Sequence, residues 1–254
     1  MTSALPRNPI VLIPTRLAST RLPNKPLAQI AGAPMIVHVW RRAVAAEIGP
    51  VVVASGDQEI VQVIERQGGR AVMTDPDLPT GSDRIHAAIT ALDPEGAHDA
   101  VINVQGDMPM LDSVAIRVAL AALADVETDI ATLAAEITDP AALHETSVNK
   151  VAAGFADPTR PTRALYFSKA PIPWGDGPHY EHVGLYAYRR PALDRFVKLP
   201  RGVLEVRERL EQLRALEAGM RISVSLIDPA WLGVQVDTPA DLARVRELLE
   251  RKSP

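Results

Sequence analysis

Four short runs of mostly apolar, β-branched residues, each leading into an amphipathic stretch, constrain the fold of this chain most tightly. IVLI (10–13) leads to a helical pattern from about Pro34 to Glu47, and VVVAS (51–55) leads to DQEIVQVIERQGG. RAVMT (70–74) precedes a turn and SDRIHAAITAL, and AVINV (100–104) precedes QGDMP and SVAIRVALAALA. Unbroken apolar strands alternating with helices predict an α/β fold, with a mostly parallel central sheet covered by helices on both faces. The crossovers are expected to be right-handed, and ligands to bind beyond the carboxyl ends of the strands. After about residue 129 the rhythm changes. DIATLAAEI, KVAAGF, ALYFSKAPIP and HVGLYAYRR read as further strands, LEVRERLEQLRALEAG as one helix closed by glycine, and ISVSLID as a strand. DTPADLARVRELLERK opens with a helix start and closes the chain. The middle, about 130–210, reads as a smaller subdomain inserted into one domain that spans 1–254.

The loop that follows the first strand carries Arg16, Arg21 and Lys25 among Thr15, Ser19, Thr20, Pro23, Asn24 and Pro26. A polyphosphate needs several cations and closely approaching N–H groups, and two planar forks with one movable ammonium supply the cations. A solvated basic loop is the alternative; the exit of a parallel strand favours the anion. Neither GxGxxG nor GxxxxGK[ST] occurs in this loop, which argues against dinucleotide-dependent dehydrogenases and Walker-type ATPases. In NVQGDMP (103–109) a strand runs into Gly106 and Asp107, and in GVQVDTP (233–239) Asp237 follows a strand-like run. Asp237 reads equally as the N-cap of the last helix, whereas Asp112 is the natural cap after Asp107. Two carboxylates meeting over one pocket suit Mg²⁺, with water and phosphate oxygens completing its shell. Cations, carboxylates and a glycine turn together point to metal-assisted nucleotidyl transfer.

Composition narrows the alternatives. A net charge of -4 argues against a dedicated nucleic-acid binder. With no cysteine there is neither a disulfide nor a thiolate nucleophile. No apolar run approaches the roughly 20 residues of a membrane span, and MTSALPRNP lacks the apolar core of a signal peptide. The expectation is a cytoplasmic protein with no membrane partner.

IPTRLASTRLPNKPL, NVQGDMP, ALYFSKAPIP, HVGLYAYRR, LEQLR and VDTPADL, in this order from about Ile10 to Arg246, resemble the 3-deoxy-manno-octulosonate (Kdo) cytidylyltransferase family. The resemblance implies a nucleotide-diphospho-sugar transferase fold and a Mg²⁺-dependent homodimer. Its reaction joins CTP to Kdo, an acidic eight-carbon sugar, giving CMP-Kdo and pyrophosphate for lipopolysaccharide synthesis. The inserted subdomain would bind the sugar and form the dimer. By position, Arg16, Arg21 and Lys25 would hold the CTP phosphates. Ser82, Arg84 and Gln105 would face the nucleotide, with Arg84 and Gln105 also near the sugar. Asp107 and Asp237 would hold the metal, with Lys25 sharing their catalytic role. Lys169, His182, Tyr186, Glu211 and Gln212 would line the sugar pocket. Taken alone, Tyr186 reads equally as a core aromatic, and Glu211 reads better as a solvated helix residue.

The chain departs from the family pattern at four places. Asn24 stands for Gly, Met108 for Glu, Lys169 for Arg, and Gly56 for an acid. Asn tolerates left-handed backbone. Lys keeps the charge but loses the fork that grips a carboxylate, so the identity of the acceptor sugar is the most open point. A cytidylyltransferase for another acidic sugar, sialate-like or 8-amino-Kdo, is the near alternative. A non-catalytic nucleotide-binding module is the more distant one, and the paired Asp107 and Asp237 argue against it.

Overall fold

A computed structural model of the protein describes residues 5–18 and 21–251; Ser19 and Thr20 of the opening motif, and the first four residues, lie outside them. The chain forms two compact units. One comprises residues 8–116 together with the chain from 230 onward, and the other comprises residues 117–229 with the described residues ahead of Asn8. The subdomain expected at 130–210 falls inside the second.

In the first unit β1 (Pro9–Thr15) is buried along its whole length. Ile10 is 2% exposed and Val11, Leu12 and Ile13 are fully buried, which is why their run is continuous and not alternating. A two-strand hairpin follows, β2 (Gln29–Ile30) and β3 (Ala33–Pro34), then α1 (Met35–Val44). The hairpin turn places Ala31 at φ 42° and Gly32 at φ 81°, the double positive φ that two-residue turns of this hand require. Next come β4 (Val51–Ser55), α2 (Gln58–Arg66), β5 (Arg70–Met73), α3 (Gly81–Leu92) and β6 (Ala100–Asn103). β1 pairs in parallel with β4 and β6, and β4 pairs in parallel with β5, giving the order β5-β4-β1-β6.

Helix α4 (Ser113–Ala121) carries the chain into the second unit. Asp112 Oδ1 accepts the Val114 N–H at its start, the capping role read from the sequence. The second unit contains β7 (Ile130–Glu136), α5 (Pro140–His144), β8 (Lys150–Ala153), β9 (Thr162–Ser168), β10 (Tyr180–Arg189), α6 (Arg190–Phe196), α7 (Val203–Glu208), α8 (Leu213–Glu217) and β11 (Ile222–Ile227). Its sheet is mixed, ordered β10-β7-β11-β9-β8, and a Glu181–Lys150 bridge links β8 back to β10.

Two expectations need correction here. LEVRERLEQLRALEAG is not one helix. Arg209 adopts left-handed backbone (φ 57°), and the chain breaks into α7 and α8. Arg214 on α8 grips the buried Glu205 on α7 with two bonds of 2.7 and 2.9 Å, and a straight helix would not bring that pair together in this geometry. The run GVQV (233–236) joins no sheet, and Gly233 at its start has φ 64°.

The last helix, α9 (Pro239–Glu250), completes the first unit. Leu242 and Val245 on α9 pack with Ile30, Met35 and Val236 in one buried cluster. That packing anchors the segment carrying Asp237 against the hairpin that follows the basic loop. Among the described residues no helix is long and apolar enough to cross a membrane.

Candidate active site

Beyond the carboxyl ends of β1 and β6 lies a cleft of about 380 Å³ lined by Arg16, Arg21, Lys25, Arg84, Gln105, Asp107 and Asp237, among others. Lys25 opens a single helical turn (Lys25–Leu27), and Asn24 before it has φ 56° and ψ 25°. The left-handed position is thus kept with Asn in place of Gly. The Lys25 ammonium donates to Asp107 Oδ2 at 2.9 Å, Asp237 Oδ1 at 3.2 Å and the Val236 carbonyl at 2.8 Å. Arg21 adds a 3.1 Å contact to Asp237 Oδ1 from an exposed position. The Val236 N–H donates to the Asp107 carbonyl at 2.9 Å, so the backbone itself holds the two aspartates close.

Asp237 does not cap α9. Thr238 does, its Oγ1 accepting the Asp241 N–H at 3.2 Å while the Asp241 carboxylate accepts the N–H groups of Thr238 and Asp237. The Asp237 side chain is left facing the cations. Asp107 Oδ1 is buried without a hydrogen-bond partner, an arrangement that costs stability unless something else meets that oxygen. Gly106 is required beside it. A Cβ there would lie 2.9 Å from the Pro14 carbonyl oxygen and 3.3 Å from Thr15 Cβ, so only glycine lets this turn lie against the end of β1.

Arg84 lies on α3 with its side chain buried. It lines the cleft, but its buried guanidinium donates to Thr74 Oγ1 and to the carbonyls of Asp75 at 3.0 Å and Pro76 at 3.2 Å. It braces the segment 74–76. Burial first, then the nearby Arg16, hold its pKa below the ordinary value. Ser82 is buried in the first turn of α3 and is not a cleft residue. Gln105 and Gly81 line the cleft. Met108, in place of the family's acid, is buried.

Sequence reasoning missed Asp57. Its Oδ2 accepts the Leu17 N–H at 2.8 Å, and Ser55 Oγ in turn accepts the Asp57 N–H at 3.1 Å. A carboxylate therefore ties the basic loop to the end of β4. The signal was present as an aspartate one residue after Gly56, the position that lacks the family's acid. Gly56 itself has no room for a side chain, since a Cβ would lie 2.6 Å from Pro76 Cα.

The residues that the resemblance assigns to the sugar sit in the second unit. His182 Nε2 lies 3.0 Å from Thr132 Oγ1 and its Nδ1 lies 3.5 Å from Gln212 Nε2. The ring meets Phe167 edge-on at 4.8 Å between centroids and Tyr186 at 5.5 Å. Burial lowers the His182 pKa to about 3, which leaves a neutral imidazole at ordinary pH. Burial pushes the Tyr186 phenol well above its usual range, so it stays protonated. Gln212 is buried, and Glu211 is a half-buried residue of the turn between α7 and α8, paired with Arg214 at 3.6 Å. It is not a solvated helix residue. Lys169 follows β9, whose Ser168 is the cross-strand partner of Lys150.

A family model described as Cytidylyltransferase matches residues 10–222. A solved structure of CMP:2-keto-3-deoxy-manno-octonic acid synthetase complexed with CTP is 36% identical, with a TM-score of 0.88 over 97% of this chain and 100% of that one. A nucleotidyl transferase from Methanothermobacter thermautotroptrophicus, 14% identical with a TM-score of 0.60 over 97% of this chain and 99% of its own, shares the fold. The 3-deoxy-manno-octulosonate cytidylyltransferase of Methylobacterium radiotolerans is 60% identical over 96% of this chain and 97% of its own. That of Paramagnetospirillum magneticum is 57% identical over 95% and 98%. Similarity of this degree over nearly the full length of both partners goes well beyond shared architecture, and the chain belongs to the 3-deoxy-manno-octulosonate cytidylyltransferase family.

Proposed function

We propose that the protein transfers CMP from CTP to the anomeric hydroxyl of Kdo, releasing pyrophosphate. The observation that carries this reading is the Lys25 ammonium bridging Asp107 and Asp237 in a cleft that also holds Arg16 and Arg21. Arg16, Arg21 and Lys25 bind the triphosphate and offset its charge, and Arg84 and Gln105 face the nucleotide from the cleft lining. In the second unit Lys169 meets the sugar carboxylate, while neutral His182, the Tyr186 phenol, Glu211 and Gln212 hold its hydroxyls. Phosphoryl transfer asks mainly for positioning and charge neutralisation. The anomeric oxygen bonds to the α-phosphorus as the bond to the bridging oxygen breaks. That electron pair leaves with pyrophosphate, and the hydroxyl proton leaves to water. No residue of the chain becomes covalently linked.

The donor set suits Mg²⁺. Asp107 and Asp237 both accept from the Lys25 ammonium, at 2.9 and 3.2 Å, and Asp107 Oδ1 is buried without a partner. No cluster of three or more metal-ligating side chains occurs among the described residues. Asp107 and Asp237 would therefore hold the ion together with phosphate oxygens and water. When bound, the ion supplies Lewis acidity toward oxygen and offsets phosphate charge. The same reading makes the protein a cytoplasmic homodimer that supplies lipopolysaccharide synthesis, one nucleotidyltransferase domain with an inserted subdomain for the sugar and the dimer.

Lys169, in place of the family's Arg, favours one second reading, transfer to a related acidic sugar. Pyrophosphate release measured with CTP, Mg²⁺ and each of Kdo, 8-amino-Kdo and sialate separates the two. Kdo is expected to give the highest kcat/KM, and a higher value with either other sugar would move the assignment to that acceptor.

A further inference from the structure

The residues around Lys169 form a bracket that its side chain alone does not require. Glu208, the last residue of α7, receives three bonds from the end of β9. Its Oε1 accepts from Ser168 Oγ at 3.0 Å and Tyr166 Oη at 3.3 Å, and its Oε2 accepts the Lys169 N–H at 3.2 Å. Ser168 Oγ accepts the Ala170 N–H at 3.0 Å. The other side of the Lys169 residue is held as well. Lys150, fully buried, donates to the Lys169 carbonyl at 2.9 Å and to the carbonyls of Glu145 at 2.7 Å and Val148 at 2.8 Å. A buried ammonium is costly, and an apolar side chain would fill the same volume. The backbone of Lys169 is thus fixed at both its N–H and its carbonyl by charged side chains of the second unit.

We propose that Glu208 is a positioning residue for the acceptor, acting through Lys169. An arginine at this position would orient a carboxylate by its own rigid fork. A lysine offers a point charge on a flexible stem, so the place where its charge meets the sugar depends on how firmly its backbone is held. The charged anchor at the Lys169 N–H supplies that firmness, with the buried Lys150 as its counterpart at the carbonyl. The inference rests on the reading that Lys169 meets the acceptor's carboxylate.

Steady-state kinetics with CTP and Kdo test it, on wild type, Glu208→Ala, Lys169→Ala and the double variant. Glu208→Ala is expected to raise KM for Kdo about tenfold and to leave KM for CTP within about twofold. Lys169→Ala should raise the Kdo KM at least as much, and the double variant should be no worse than Lys169→Ala, because both act through one contact. If Glu208→Ala is too unstable to assay, Glu208→Asp keeps the charge but shortens the reach, and should show the same split. Equal increases in both KM values, or fold-changes that multiply in the double variant, would overturn the proposal. A Kdo KM unchanged by Lys169→Ala would remove its premise, whereas failure of the wild type to use any acidic sugar would instead overturn the assigned reaction.

Discussion

Lys25 makes bonds to two aspartates from distant parts of the sequence, and those bonds give the residue-scale prediction. Asn caps a helix nearly as well as Asp but lacks the charge that a cation needs. Thr238 already caps α9, so Asp107→Asn and Asp237→Asn should leave the melting temperature within a few degrees of wild type. Their kcat should fall about 10²-fold or more across a Mg²⁺ titration. Wild-type rates in either variant would remove that residue from the site. Arg21 is two-thirds exposed on its side chain, so its contact with Asp237 adds little to stability. Arg21→Ala should nevertheless lower kcat/KM for CTP about tenfold, the scale of one charge-assisted hydrogen bond at ~1.5–3 kcal/mol. The chemistry at this scale was only partly legible in the sequence. DTPAD contains three side chains able to cap a helix, and only the fold shows that Thr238 takes the role. The bonds of Arg84 to residues 74–76 were not legible either, because a motif records a residue type and not where its donors point.

At the scale of elements, the cap on α9 matters because that helix anchors the segment carrying Asp237. Thr238→Ala removes the acceptor for the Asp241 N–H and should cost about 1 kcal/mol by denaturant unfolding. It should lower kcat less than Asp237→Asn does. A kcat loss as large as that of Asp237→Asn would mean that the segment depends on the cap for its position. The strands and long helices of the first unit were legible because their apolar runs and helical periods are strong local signals. The β2–β3 hairpin was not, since two-residue strands leave no pattern. Nor was the break between α7 and α8. Its cause is the Glu205–Arg214 pair, a tertiary contact that overrides the local helical preference of LEVRERLEQLR.

For the molecule as a whole, His182 links folding to pH. Its pKa is about 3 in the folded protein against an ordinary value of 6.5, so the unfolded chain takes up a proton first as pH falls. Stability from this group is complete above about pH 6.5 and declines from there toward pH 3. Glu181, raised chiefly by burial, works in the opposite direction, because the folded protein takes up its proton first as pH falls. The denaturant midpoint should therefore fall between pH 7.5 and pH 5.5, and this fall should shrink in His182→Gln. An equal fall in that variant would assign the effect to other groups. The central claim is that CTP and Kdo are joined by a single displacement at phosphorus. Phosphorus NMR of the purified protein with CTP, Mg²⁺ and Kdo tests it most directly. The account predicts pyrophosphate and one new phosphodiester signal growing in equal amounts, only when the sugar is present; pyrophosphate released without Kdo, or no phosphodiester with it, would contradict it.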